Sequence, residues 1–177
     1  MRTPTVNSQE VIARIKEIGP ACVLVYGTGL VRRPVIEAAE SRMLNLHTGL
    51  SPYYRGVACH LWPLVDRRFD RVGVTVHDCV LQLDAGGILG TSRTEIQAND
   101  GVHDVFARQV IDGAQLYVEL VQRELSGMTV PRSEQDLGSG REFRGWELGF
   151  TAELRARLNL RQHHRSSESS KGSASPP

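Results

Sequence analysis

At 177 residues, with 40% hydrophobic and 23% charged side chains, the chain has the composition of one globular domain with a core of its own. Its 21 Lys and Arg against 20 Asp and Glu leave a formal net charge of +1, so the basic footprint of a DNA-binding or membrane-surface protein is missing and neither partner is expected. No apolar run has the length of a membrane span, and the first residues lack the order of a secretory signal, so a cytoplasmic location is expected.

Asn7 with Glu10 has the form of a capping box, and Val11, Ile12, Ile15 and Ile18 recur at helical spacing until Gly19 and Pro20, predicting a helix over 8–18. ACVLVY (21–26) reads as a strand buried on both faces, as in a parallel sheet, and GTGL turns the chain. Pro34 suits the start of a second short helix to about Glu40, followed by the strand MLNLH (43–47). This order predicts right-handed parallel crossovers. VACHLWPLVDRR (57–68) reads as a helix that Pro63 kinks or delays. RVGVTVHDCV (71–80) alternates with a period of two, placing Val72, Val74 and Val76 on one face and Gly73, Thr75 and His77 on the other. LDAGGIL is a loop entering a strand that RTEIQ continues. From Val102 to Leu125 one helical stripe runs through positions 102, 105, 106, 110, 117, 120, 121 and 125, with Asp100 as N-cap and Gly127 as stop. The segment 129–160 reads as an extension with one short helix capped by Thr151, and 161–177 as a disordered tail.

Cys22, Cys59 and Cys79 are odd in number and far apart, which fits reduced core thiols, and no CxxC or HxxxH spacing points to a metal. In parallel α/β sheets, ligands bind beyond the carboxyl ends of the strands, where Asn45, His47, GTGL and LDAG are predicted to fall. An Asn with a His and an Asp supplies a donor for a carbonyl oxygen, a proton carrier and an anion that favours the imidazolium, the three needs of acyl transfer. His77 reads either as a satisfied sheet histidine or as a site group. His60 and His103 look structural or superficial, and His163 and His164 inert. Asp84 also suits a simple turn, and Gly27 and Gly29 a left-handed backbone. Arg32 stands where a dinucleotide fingerprint needs its last Gly, so no dinucleotide is expected.

Taken together, NLHTGLSPYYRG, GVTVH and LDAGGIL, in that order and spacing, resemble the formyltransferase domain family over about residues 8 to 127. The resemblance implies an α/β fold: a partial Rossmann-like parallel sheet flanked by helices, lacking the family's opening strands, with the catalytic domain over 1–128. By position it assigns catalysis to Asn45, His47 and Asp84. The folate pocket falls on Tyr26, Gly27, Thr28, Gly29 and Leu30 and on Val80, Leu81, Gln82 and Leu83. The active-site loop falls on Ser51, Arg55 and Gly56, with His77 beside it.

The implied reaction is attack by an amine on the formyl carbon of 10-formyltetrahydrofolate, without a metal. Asn45 would donate to the oxyanion, and Asp84 would raise the pKa of His47 so that its imidazolium persists near neutral pH. Thr48 stands where the family has Pro, and Gly87 where the transfer RNA branch has an acid. A small-molecule or amino-sugar amine is therefore the expected acceptor and transfer RNA is not. A deformylase using water as acceptor, or a noncatalytic folate- or partner-binding remnant, would keep the same pocket. Missing opening strands would leave an unpaired sheet edge for a second copy or a completing chain. Phe143 and Trp146 offer either acceptor stacking or docking of the extension.

Overall fold

The computed structural model describes residues 5–40 and 42–172, and these build a four-stranded sheet of order β1-β2-β4-β5 with helices on both faces. Helix α1 (Gln9–Ile18) is capped by Ser8, whose Oγ accepts from the Val11 N–H at 3.3 Å. Asn7, expected to open the cap, instead donates to the Leu30 carbonyl at 2.8 Å and accepts from the Arg32 N–H at 2.7 Å. It ties the helix entry to the loop after β1 (Cys22–Tyr26). A short α2 (Arg33–Ala38) then leads into β2 (Arg42–His47), which pairs parallel to β1.

Parallel pairing ends there. Strand β4 (Gly73–Asp78) runs antiparallel to β2, and β5 (Ile88–Arg93) antiparallel to β4, so the expected parallel sheet is mixed. The cause lies in the connection from β2 to β4. It holds the three-residue β3 (Tyr54–Gly56), the single-turn α3 (Trp62–Val65) and a 3-10 turn at Phe69–Arg71, none of them a crossover helix, and it re-enters the sheet at the end it left, with His47 opposite Thr75. The helix expected over 57–68 shrinks to that one turn, with Pro63 as its second residue. Ahead of it Ala58 takes a left-handed φ of 58°, and the Trp62 indole donates to the Val57 carbonyl at 2.8 Å.

Strand β1 is not buried on both faces. Among the described residues it is an edge, covered on one side by Ile12 and Ile15 of α1 and Val35 of α2, while Leu24 and Tyr26 remain about half exposed. The long helix α4 (Val102–Leu125) matches its predicted bounds and crosses the face formed by Leu44, Leu46, Val74, Val76 and Leu89. Burying side chains of this size stabilises by roughly 1.5–3 kcal/mol each. Gly113 allows the close approach, since a Cβ there would lie 3.0 Å from Leu46 Cδ1. Its N-cap is Gly101, whose N–H donates to Asp104 at 2.8 Å; Asp100 instead receives Arg108 at 2.9 Å. β5 ends at Arg93, short of the full RTEIQ, because the Thr94 N–H turns to the Val72 carbonyl at 2.9 Å.

The extension belongs to the same core. Strand β6 (Arg141–Phe143) pairs with β3, and the Phe143 ring stacks on Trp62 at 4.5 Å and on Tyr54 at 5.8 Å. Phe143 is thereby buried and closed to any acceptor, whereas Trp146 is 84% exposed. Helix α5 (Phe150–Gly172) starts one residue before Thr151 and buries Ala152, Ala156 and Leu160 in the cluster that holds Trp62 and Leu64. It runs well past the predicted boundary at 161. Polar anchors that composition cannot reveal hold that part: Arg67 donates to Asn159 at 3.0 Å and to Gln162 at 2.6 Å. His163 stacks on Phe69 at 4.2 Å, and His164 donates to the Asp100 carbonyl at 2.9 Å, so neither is inert. The remainder of the predicted tail, 173–177, lies outside the described residues. No described helix is long and apolar enough to cross a membrane.

Candidate active site

Because Leu44 and Leu46 point into α4, Asn45 and His47 face the other side of β2. The antiparallel register then sets His77 directly opposite Asn45. His77 Nδ1 donates to the Asp78 carbonyl at 2.8 Å, which leaves Nε2 free to accept from Asn45 Nδ2 at 3.2 Å. Asp84 enters from the β4–β5 loop with a left-handed φ of 48°. Its Oδ1 accepts from Asn45 Nδ2 at 3.4 Å and lies 3.5 Å from His77 Nε2. Its Oδ2 accepts the Gly56 N–H at 2.8 Å and lies 3.5 Å from His47 Nδ1. One carboxylate thus links β2, β3 and β4.

The loops carry the sequence features this closeness demands. A Cβ at Gly86 would stand 1.9 Å from the Asp78 carbonyl oxygen, so only glycine lets the Asp84 loop fold back. A Cβ at Gly49 would meet His47 Nε2 at 2.7 Å. Thr75 Oγ1 donates to the Gly49 carbonyl at 2.7 Å and accepts the Ser51 N–H at 2.9 Å, pinning the loop after His47. Only the β1 and β2 loops meet as at the carboxyl ends of parallel strands; Asp84 arrives from an antiparallel strand.

A cleft of about 620 Å³ opens over these groups, within the range of small-molecule sites. It is lined by Tyr26, Gly27, Thr28, Gly29 and Leu30 on one side and by Asn45, His47, Gly56, His77, Val80, Leu83 and Asp84 on the other. Leu81 and Gln82 fall outside the lining, because the loop turns their side chains to solvent. Ser51 and Arg55 also lie outside it, buried behind the wall, where Arg55 donates to the Leu137 carbonyl at 3.4 Å. Sequence reasoning missed Cys59, His60 and Phe106, which complete the floor. The His60 ring meets Phe106 at 4.3 Å with the two planes tilted, a pairing hidden because each residue reads locally as part of a helix.

The formyl transferase family matches the chain over residues 1–121. The chain belongs to the formyl transferase family. Among curated proteins it is 26% identical over 132 residues to the methionyl-tRNA formyltransferase of Sulfurihydrogenibium sp., covering 73% of this chain and 42% of that protein. It is 30% identical, again over 132 residues, to the methionyl-tRNA formyltransferase of Solibacter usitatus, covering 74% and 42%. The chain therefore spans about two fifths of the length of these relatives. Among solved structures, the sugar N-formyltransferase of Shewanella sp. superposes with a TM-score of 0.63 at 18% identity, covering 88% of this chain and 65% of that one. The formyltransferase PseJ of Anoxybacillus kamchatkensis, solved with a formamido sugar nucleotide and tetrahydrofolate, gives 0.63 at 22%, covering 79% and 76%. These superpositions carry the fold. The curated relatives leave the expectation against transfer RNA without support.

The electrostatics of this site run against one expectation. Burial pushes the Asp84 carboxyl up, but the His77 Nε2 beside it, the charge that His47 takes on in acid and the Gly56 N–H outweigh it and hold the group down at about 2. His47, by contrast, is lowered from 6.5. Burial of its ring outweighs Asp84 and the Tyr54 carbonyl, which both favour the cation, and His77 adds to the lowering. The resting imidazole is therefore neutral near pH 7, its Nε2–H on the Tyr54 carbonyl at 2.9 Å and its Nδ1 turned to Asp84. Burial likewise brings His60 down to about 4, with help from His103 and His47.

The sign is testable. The groups around His47 are Asp84, His77, His60 and the Tyr54 carbonyl, so its ring protons should titrate in NMR spectra with a midpoint below 6.5. Asp84→Asn should lower that midpoint further. A midpoint at or above 6.5 would restore the imidazolium expected from sequence.

Proposed function

We propose that the chain transfers a formyl group from 10-formyltetrahydrofolate to a primary amine. The observation that carries this reading is the meeting of Asn45, His47 and Asp84 around one point of an apolar-walled cleft. Tyr26 to Leu30, with Val80 and Leu83, would hold the donor. The amine attacks the formyl carbon, and the carbonyl oxygen gains charge. The Asn45 amide proton that faces Asp84 at 3.4 Å is only weakly engaged there and is free to turn to that oxygen, where a fixed donor is worth roughly 3 kcal/mol. Neutral His47 takes the proton lost by the amine, and the Asp84 carboxylate beside Nδ1 stabilises the imidazolium so formed. As the tetrahedral intermediate collapses, the bond from the formyl carbon to N10 of the folate breaks and N10 receives that proton, so tetrahydrofolate leaves and His47 returns to neutral.

The acceptor favoured by the sequence is an amino sugar or another small amine, and the structural neighbours solved with sugar nucleotides support it. Methionyl-tRNA is the competing acceptor, supported by the curated relatives. Among the described residues the outer edge of β1 is open, with Leu24 and Tyr26 exposed, which supports a second copy or a completing chain pairing there.

The test supplies 10-formyltetrahydrofolate with amino-sugar nucleotides, with methionyl-tRNA, or with no amine, and follows tetrahydrofolate and the formylated product. Transfer to an amino sugar is expected. Formate released equally with and without amine would make the chain a deformylase, and no turnover under any condition would reduce it to a noncatalytic remnant.

A further inference from the structure

We infer that Gln135, in the extension after α4, is a positioning residue that sets the Asp84 carboxylate through the main chain of its loop. The kinetic part of this inference rests on the proposed formyl transfer; the geometric part stands without it. Gln135 does not line the cleft. Its Nε2 donates to the Asp84 carbonyl at 3.0 Å and to the Gly86 carbonyl at 2.6 Å, so one side-chain amide clamps both carbonyls flanking Ala85. Those are the carbonyls of the segment that must hold Asp84 at a left-handed φ of 48°, a conformation that a residue with a Cβ leaves unless its surroundings hold it.

The strap bearing Gln135 is itself anchored. Ser133 exchanges two backbone hydrogen bonds with Ile88, each 2.9 Å. Arg132 reaches Asp78 Oδ2 at 3.4 Å and Glu124 Oε1 at 2.6 Å, and that buried Glu124 also accepts the Val130 N–H at 3.1 Å. The Asp78 N–H meanwhile closes the loop base by donating to the Gly87 carbonyl at 2.9 Å. Residues 130–135 therefore tie α4 to both ends of the loop that carries Asp84. Moving a reacting group by about 1 Å can cost on the order of 100-fold in rate, which is the lever such a clamp controls.

The test uses the full chain with Gln135→Ala, which removes both donors, and Gln135→Glu, which turns a carboxylate toward two carbonyls. Turnover should fall about 10- to 100-fold, more for the Glu variant, while KM for the folate donor changes less, because the 26–30 wall is untouched and only Val80 and Leu83 of the donor contacts lie in the clamped loop. The His47 NMR midpoint, set among Asp84, His77, His60 and the Tyr54 carbonyl, should move down in Gln135→Ala as the carboxylate shifts away. Unchanged turnover, an unchanged His47 midpoint, or loss of activity that merely follows loss of thermal stability would each overturn the inference. If the unmodified chain formylates no acceptor, the proposed function fails, yet the His47 comparison still decides the role of Gln135.

Discussion

Asp84→Asn is expected to lower turnover about 1,000-fold while the protein stays folded and KM for the folate donor changes little. The carboxylate meets Asn45, His47, His77 and the Gly56 N–H at once, and an amide can satisfy only part of that set. If the new amide keeps its oxygen on the Gly56 N–H, its NH₂ faces His77 Nε2 and competes with Asn45 for that lone pair. Asn45 then loses its fixed orientation, and the imidazolium forming on His47 loses its anion. Both losses fall on the transition state, so the effect belongs in kcat.

A linked effect on stability carries its own sign. A carboxyl held at about 2 against an ordinary 3.8 stabilises the fold above the higher value, and that contribution fades as pH falls toward the lower one. The Asn variant should lack this acid-dependent component in unfolding measured from pH 2 to 5. Turnover within about tenfold of the unmodified chain would remove Asp84 from the mechanism.

What was legible in the sequence follows from what is local. Helix α4 was readable to its ends because its stripe repeats every turn and Gly127 stops it. The extent of β4 was nearly so, from its two-residue alternation. Strand direction was not, since alternation looks the same whichever way the neighbour runs. The pairing of Asn45 with His77 depends on that direction and register, which is why His77 had two readings and only the structure joins it to Asp84. The protonation of His47 failed for a related reason: a sequence motif names the charge partner but not the depth of burial that outweighs it. The C-terminal part of α5 failed because Arg67, Phe69 and Asp100, which anchor it, lie far away in sequence. Composition counts apolar residues and cannot see such anchors.

Gly56→Ala is expected to destabilise the fold by about 3 kcal/mol or more and to disable the site with it. Gly56 has a φ of 95°, and a Cβ there would stand 2.3 Å from the Phe143 carbonyl oxygen. That oxygen accepts the Val57 N–H at 2.9 Å, and the Phe143 ring is stacked on Trp62 and Tyr54, so the neighbour has no room to recede. The same residue's N–H holds Asp84 Oδ2, so whatever moves to admit the methyl also moves the carboxylate. Gly27→Ala supplies the comparison. Gly27 also has a positive φ, 63°, but nothing lies within 4 Å of its would-be Cβ, so only the backbone strain of about 1–2 kcal/mol should be felt. Denaturant unfolding of the two variants separates crowding from strain. A much larger loss for Gly56 would make the docked extension part of what holds Asp84 in place, whereas equal losses would mean that the β3–β6 contact yields freely and that the extension has little hold on the carboxylate from that side.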